Sequence, residues 1–205
     1  MAENEAYSER TYNAAEFMEF VHKTENDNKR YELIDGYIYM MASPNTTHQL
    51  LFHFMSDNFG TYFKGKTCKV LSNLDVYLFQ KSIFSNNKKN CENVYIPDLF
   101  VICDKKKITK RGIEGAPELV VEIVSESTSQ NDYLLKYGNY MRHGVREYWL
   151  VNPRTKQIIV YWHINNEIDI KNEIAVKSYN FNDIAKSNIF DDLYVDFSLF
   201  VDEYE

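Results

Sequence analysis

Long apolar runs are missing from this 205-residue chain, and no stretch approaches the roughly 20 residues that a membrane helix needs. The polar, acidic opening MAENEAYSER lacks the charged-then-apolar layout of a secretory leader. Cysteine is scarce: Cys68, Cys91 and Cys103 are odd in number and widely spaced, so neither a disulfide framework nor a zinc knuckle is indicated. These absences point to a reduced, cytoplasmic protein with no membrane partner. Basic excess is missing too. A formal net charge of -7 argues against an avid general binder of nucleic acid, while leaving room for a local basic groove. Repeats and low-complexity tracts are absent, and the length suits a single domain spanning 1–205.

What is present concentrates between Val94 and Val151. VYIPDLFVICD reads as a strand, APELVVEIVS as another, and ESTSQNDYLLKYGNYMRHGVREYWLV as a helix followed by a strand. Alternation would put Val94, Ile96, Asp98, Phe100 and Ile102 on one face of the first, and Val120, Glu122 and Val124 on one face of the second. Each apolar set holds one acid. A buried carboxylate needs a cation or hydrogen-bond donors, and two on neighbouring strands repel each other. A divalent metal would answer both demands. A hard cation such as Mg2+ or Mn2+ suits Asp98, Glu122 and the carbonyl of Ile123. The plainer readings are a turn acid bonded to backbone amides for Asp98, because Pro97 interrupts the ladder, and an ion pair with a buried lysine or arginine for Glu122.

Around this block, Asn13 followed by Glu16 predicts a capped helix over 13–23, and Asp35-Gly36 predicts a hairpin over 31–41. Leu50, Leu51, Phe54, Met55, Phe59 and Phe63 space a helix over 47–63. A strand is expected over 69–79, a loop over 80–93, and a further strand over 156–163 after the Asn152-Pro153 turn. The tail IFDDLYVDFSLFV suggests an edge strand or a short closing helix. The domain thus divides into an N-terminal helix and hairpin (11–41), a core (47–152) and C-terminal strands (156–205).

YELIDGYIYMMASPNTTHQ, IPDLFVICD, GAPELVVEIVSEST and GVREYWLVNP together resemble the Uma-type restriction endonucleases of the PD-(D/E)XK nuclease superfamily, over roughly residues 11–165. The resemblance implies an α/β, restriction-endonuclease-like core, a central mixed β-sheet flanked by helices, that hydrolyses DNA phosphodiester bonds with a metal ion. Asp98 and Glu122 match the two motif acids, and Glu32 is placed as a third acid near the metal. The motif lysine, two residues after the second acid, is replaced by Val124. Lys136 on the following helix is the best substitute, able to orient or deprotonate the attacking water. Against this, Lys136 could pair with Asp132 on the helix surface, and Glu32 could be a surface residue beside Lys29 and Arg30. His48 could approach the phosphate from the start of its helix, although a cap or a part of the core is the plainer reading. Lys105, Lys106, Lys107, Lys110 and Arg111 form the densest basic run, fit either for DNA phosphates or for a solvated loop. Cutting both strands of a duplex would suit a homodimer. The competing function is a nuclease-fold DNA- or protein-binding module without catalysis.

Overall fold

Asn13 and Glu16 cap each other as their spacing predicts. In the computed structural model, which describes residues 10–24, 29–79, 93–125, 130–164 and 173–204, Asn13 Oδ1 accepts from the amides of Ala15 (3.0 Å) and Glu16 (3.1 Å). Glu16 Oε2 accepts in turn from the Asn13 amide (3.0 Å), and α1 (Ala14–Thr24) begins there. The hairpin follows as β1 (Tyr31–Ile34) and β2 (Tyr37–Met40). Asp35 (φ 48°) and Gly36 (φ 84°) both adopt the left-handed backbone that a two-residue hairpin turn of this hand requires. Alternation along β1 sends Tyr31 and Leu33 into one apolar cluster with Phe17 of α1, and Ile34 into another. Next, α2 (Thr46–Phe63) starts at Asn45, whose Oδ1 accepts from the His48 amide at 2.9 Å.

Two expected strands each prove to be two. Residues 69–79 form β3 (Lys69–Leu71) and β4 (Val76–Leu78), which belong to different sheets. Asn73, at φ 55°, turns the chain between them, and Leu74 beside it is exposed. Residues 94–102 likewise split into β5 (Asn93–Tyr95) and β6 (Leu99–Ile102). Pro97 has no amide to donate, so the ladder stops there and the chain crosses from one sheet to the other. Val94 therefore packs in a different cluster from Phe100 and Ile102, a correction to the single shared face.

The remaining strands are β7 (Ile108–Thr109), β8 (Gly112–Glu114) and β9 (Leu119–Ile123); α3 (Gln130–His143) then leads to β10 (Glu147–Asn152), β11 (Gln157–His163) and β12 (Ile174–Asn180). The tail supplies both expected forms, with the β13 (Ile184–Lys186) and β14 (Tyr194–Asp196) ribbon followed by α4 (Ser198–Tyr204). Two six-stranded sheets result, in the orders β2-β1-β5-β4-β8-β7 and β12-β11-β10-β9-β6-β3. Both are mixed, with β4–β8 and β9–β10 parallel. One face of the second sheet (Leu99, Val101, Val121, Trp149) packs on α2 and the C-terminal elements. Its other face (Phe100, Ile102, Val120, Tyr148) packs on α3 and the first sheet. No described helix is long and apolar enough to cross a membrane.

The cysteine expectation needs correcting. Cys68 and Cys103 are joined in a disulfide, 35 residues apart in sequence. The β3–β6 register pairs Lys69 with Ile102, so the next position out sets Cys68 opposite Cys103. Spacing along the chain carries no trace of that pairing. Cys91 and the loop expected from Gln80 lie outside the described residues, up to Asn93 where β5 begins.

Gly112 holds the parallel β4–β8 junction together. Its φ is 134°, and an added Cβ would sit 2.3 Å from the Asp75 carbonyl oxygen, which accepts from the Ile113 amide at 2.7 Å. Gly112→Ala is expected to destabilise the protein by about 2–4 kcal/mol through strain and backbone overlap. A lower urea midpoint at unchanged slope would show it.

Candidate metal and catalytic site

The antiparallel register of β6 and β9 pairs Leu99 with Val121 and Phe100 with Val120. One position earlier, Asp98 stands opposite Glu122, on the side of the sheet that carries Phe100 and Val120. Asp98 occupies the bend before β6 rather than a strand interior, which corrects its expected setting. Its Oδ2 accepts from the Ile123 amide (2.8 Å) and pairs with His48 Nε2 (3.2 Å). The reading of Asp98 as a turn acid bonded to a backbone amide therefore holds. No hydrogen bond from a described residue engages Asp98 Oδ1.

Glu122 is 5 % exposed and Glu32 4 %, so the surface alternative for Glu32 fails. The Lys136 ammonium lies between them, 2.8 Å and 3.0 Å from the Glu32 oxygens and 3.3 Å from Glu122 Oε1. Lys136 is itself 8 % exposed, so it faces inward from α3 rather than lying along the helix surface. The Asp132 side chain, and with it the expected Lys136–Asp132 surface pair, lies outside the described residues. Glu32 Oε1 also accepts from the Ile96 amide (2.9 Å), and Glu122 Oε1 from the Tyr140 hydroxyl (2.7 Å). The long stem of Lys136 thus reaches the acids from α3, while Val124 takes the strand position half-buried.

Burial raises the Glu122 carboxyl to about 7, with Asp98 and Glu32 adding to the rise and Lys136 and the Tyr140 hydroxyl opposing it. Burial disfavours the Lys136 charge, but Glu122 and Glu32 outweigh it and hold the ammonium above its ordinary value. Lys136 is therefore protonated in this site as it stands and has no lone pair with which to take a proton. Of its two expected roles toward the water, orientation agrees with this electrostatics and proton abstraction does not. Burial also works against the charged form of His48, yet the hydrogen bond and charge of Asp98 raise it overall.

These groups floor a cleft of about 350 Å3 that Arg30, Tyr39, Phe52 and Ser125 also line. The basic run does not line it. Lys105, Lys106 and Lys107 form a short turn beyond the end of β6, the strand whose start holds Asp98. Lys107 Nζ donates to the Ala116 carbonyl (2.7 Å) and lies 4.0 Å from Glu118, whereas Lys105, Lys106, Lys110 and Arg111 are exposed. Two contributors lie outside the expected set: His48, read from sequence as a cap or core residue, and Tyr140, which the sequence reading did not single out. His48 is 7 % exposed and set on Asp98 by the first turn of α2, and Tyr140 lies one helical turn beyond Lys136. The i, i+4 spacing of Lys136 and Tyr140 was the available signal.

The donor set can be tested for a metal. No described group of three or more His, Cys, Asp or Glu side chains has metal-holding geometry. Asp98 and Glu122 do fit the sparser arrangement of a hard cation held by two carboxylates, with water and substrate filling the rest. Each keeps one oxygen, Asp98 Oδ1 and Glu122 Oε2, outside the hydrogen bonds formed by the described residues.

Comparisons with known proteins bear on the family and the fold. The pattern of the Uma2 family, described as putative restriction endonuclease, matches residues 14–176. An uncharacterized protein of Synechocystis sp. is 27% identical over 153 residues, 74% of this chain and 75% of its own length. The crystal structure of a putative nuclease belonging to DUF820 from Anabaena variabilis superposes with a TM-score of 0.58 at 18% identity. That superposition covers 77% of this chain and 80% of the other, and it shows the fold to be restriction-endonuclease-like.

Lys136→Ala would leave Glu32 and Glu122 buried without their shared cation, and is expected to cost about 3–5 kcal/mol in chemical denaturation. The pH dependence follows from Glu122. Its folded value, about 7, lies above its unfolded value, so the native state favours the proton. The stability this contributes is full below the unfolded value of about 4.3 and is lost as pH rises through the folded one. With chelator present, Glu122→Gln should gain on the wild type in melting temperature between pH 5 and 7.5. A constant difference across that window would refute the assignment.

Proposed function

Because the chain belongs to the Uma2 putative restriction endonuclease family, we propose that it is a divalent-cation-dependent endonuclease that hydrolyses DNA phosphodiester bonds. One observation carries the reading. Asp98 and Glu122 meet at opposing register positions on one sheet face, with the Lys136 ammonium 3.3 Å from Glu122 at the floor of a cleft. Asp98, Glu122 and the carbonyl of Ile123 would hold Mg2+ or Mn2+. Such a cation polarises a phosphate and lowers the pKa of water beside it.

The chain's own groups divide the remaining work. Lys136, held charged by Glu32 and Glu122, orients the attacking water and offsets the charge that builds on the phosphate. Glu32 keeps the ammonium aimed at the cleft floor, and the Tyr140 hydroxyl fixes the rotamer of Glu122. His48 and the Ile123 amide fix Asp98, the outer-shell support that metal ligands commonly need. Lys105, Lys106, Lys110 and Arg111, beyond the far end of β6, would meet phosphates flanking the cut rather than the scissile one.

A binding module without catalysis has a specific observation in its favour. Lys136, Tyr140, His48 and the Ile123 amide already compensate the acids from within the protein. Calorimetric titration with manganese separates the two readings. The nuclease should bind the ion, lose it in Asp98→Ala, and lose 10–100-fold in affinity in His48→Ala, roughly the scale of an outer-shell partner. Metal-dependent cleavage of DNA, measured on both single-stranded and plasmid substrates, should fall in the same order. Identical titrations of wild type and Asp98→Ala would leave the module reading standing.

A further inference from the structure

The inner face of the β1–β2 hairpin carries more than Glu32. Arg30 precedes it by two positions, and the Arg30 carbonyl accepts from the Met41 amide at 2.8 Å, continuing the ladder that pairs Glu32 with Tyr39. Arg30, Glu32 and Tyr39 therefore share a face, and all three line the cleft. Lys136 is committed to two acids. No described carboxylate pairs with Arg30, whose Nη1 donates to the neutral Asn73 side chain at 2.9 Å. Phe52 of α2, also in the lining, adds a second, partly exposed aromatic ring.

We propose that this cleft takes a single unpaired DNA strand, with Arg30 on a backbone phosphate next to the scissile one and Tyr39 and Phe52 against a base. The inference rests on the nuclease reading and specifies its substrate class. Volume is the first reason. About 350 Å3 lies near the low end of the 300–1,000 Å3 usual for sites that enclose a small molecule, which is room for about one nucleotide. A double helix would leave its second backbone and its stacked pairs outside the cleft, out of reach of the lining. Depth is the second reason. Glu32 and Glu122 are almost wholly buried at the floor, so a phosphate must descend to them, and the local bend this asks of the backbone is easier for an unpaired strand than for a stiff double helix. The lining is the third. An arginine for the backbone and aromatic rings for base faces are the two components of sequence-tolerant single-strand binding. A site of this kind needs no second copy across a duplex.

The test measures anisotropy of a labelled 12-nucleotide DNA strand and of its blunt duplex with the full chain in calcium, with strand integrity checked on a denaturing gel. Single-strand binding at least tenfold tighter than duplex binding is expected. Arg30→Ala should weaken it about tenfold and reduce the salt slope by about 0.7, the loss of one phosphate contact. Tyr39→Leu, which keeps an apolar group at the partly buried position, should weaken it about tenfold with the slope unchanged, the mark of lost stacking. Equal or tighter duplex binding overturns the proposal, as does an Arg30→Ala protein with unaltered affinity and slope. If duplex is preferred while Asp98→Ala still abolishes metal-dependent cutting, the inference fails and the nuclease reading stands. If no DNA is bound or cut, both fail.

Discussion

A single ammonium shared by two buried carboxylates is the interaction on which the rest of this structure depends. Lys136 comes from α3, Glu32 from the N-terminal hairpin and Glu122 from the second sheet, so one cation joins three elements. Each of the three would be unfavourable alone in that place. Together they are tolerable because the contacts are short and because the Ile96 amide and Tyr140 hydroxyl take up further lone pairs.

The same arrangement lets a lysine on a helix stand beside the two acids where the motif would place one on the strand. A strand lysine two residues past Glu122 would project from the sheet beside it. Lys136 instead approaches from the helix that packs over that sheet face, and its stem spans the difference. Val124 then needs no charge, and the strand end can stay apolar. The exchange has an electrostatic consequence: pinned between acids, the ammonium remains charged, which fits it for holding a water or a phosphate oxygen and unfits it as a base.

A polar wall supports the helix that delivers this lysine. Asn139 Nδ2 donates to Tyr95 Oη at 2.9 Å and to Asp35 Oδ1 at 3.1 Å, tying α3 to β5 and to the hairpin turn. The Tyr95 ring packs against Tyr140 with centroids 4.8 Å apart. The Asp-Gly turn, legible in the sequence as a hairpin signal, therefore has a second duty that its local chemistry does not announce: its carboxylate helps place the helix that carries Lys136 and Tyr140.

The sequence by itself determined the capped α1, the Asp35-Gly36 hairpin, the α2 and α3 helices, the alternation that puts Glu122 among apolar neighbours, and the family. All of these rest on chemistry acting over a few residues: caps, turn backbone preferences and side-chain period. Only the tertiary structure decided that Pro97 and Asn73 split two apparent strands between two sheets. It alone set Cys68 against Cys103, turned His48 onto Asp98, and removed the basic run from the cleft. The reason is register. Glu32 and Lys136 are 104 positions apart, and whether such residues meet depends on which strands pair and how far each is offset, something no local pattern records.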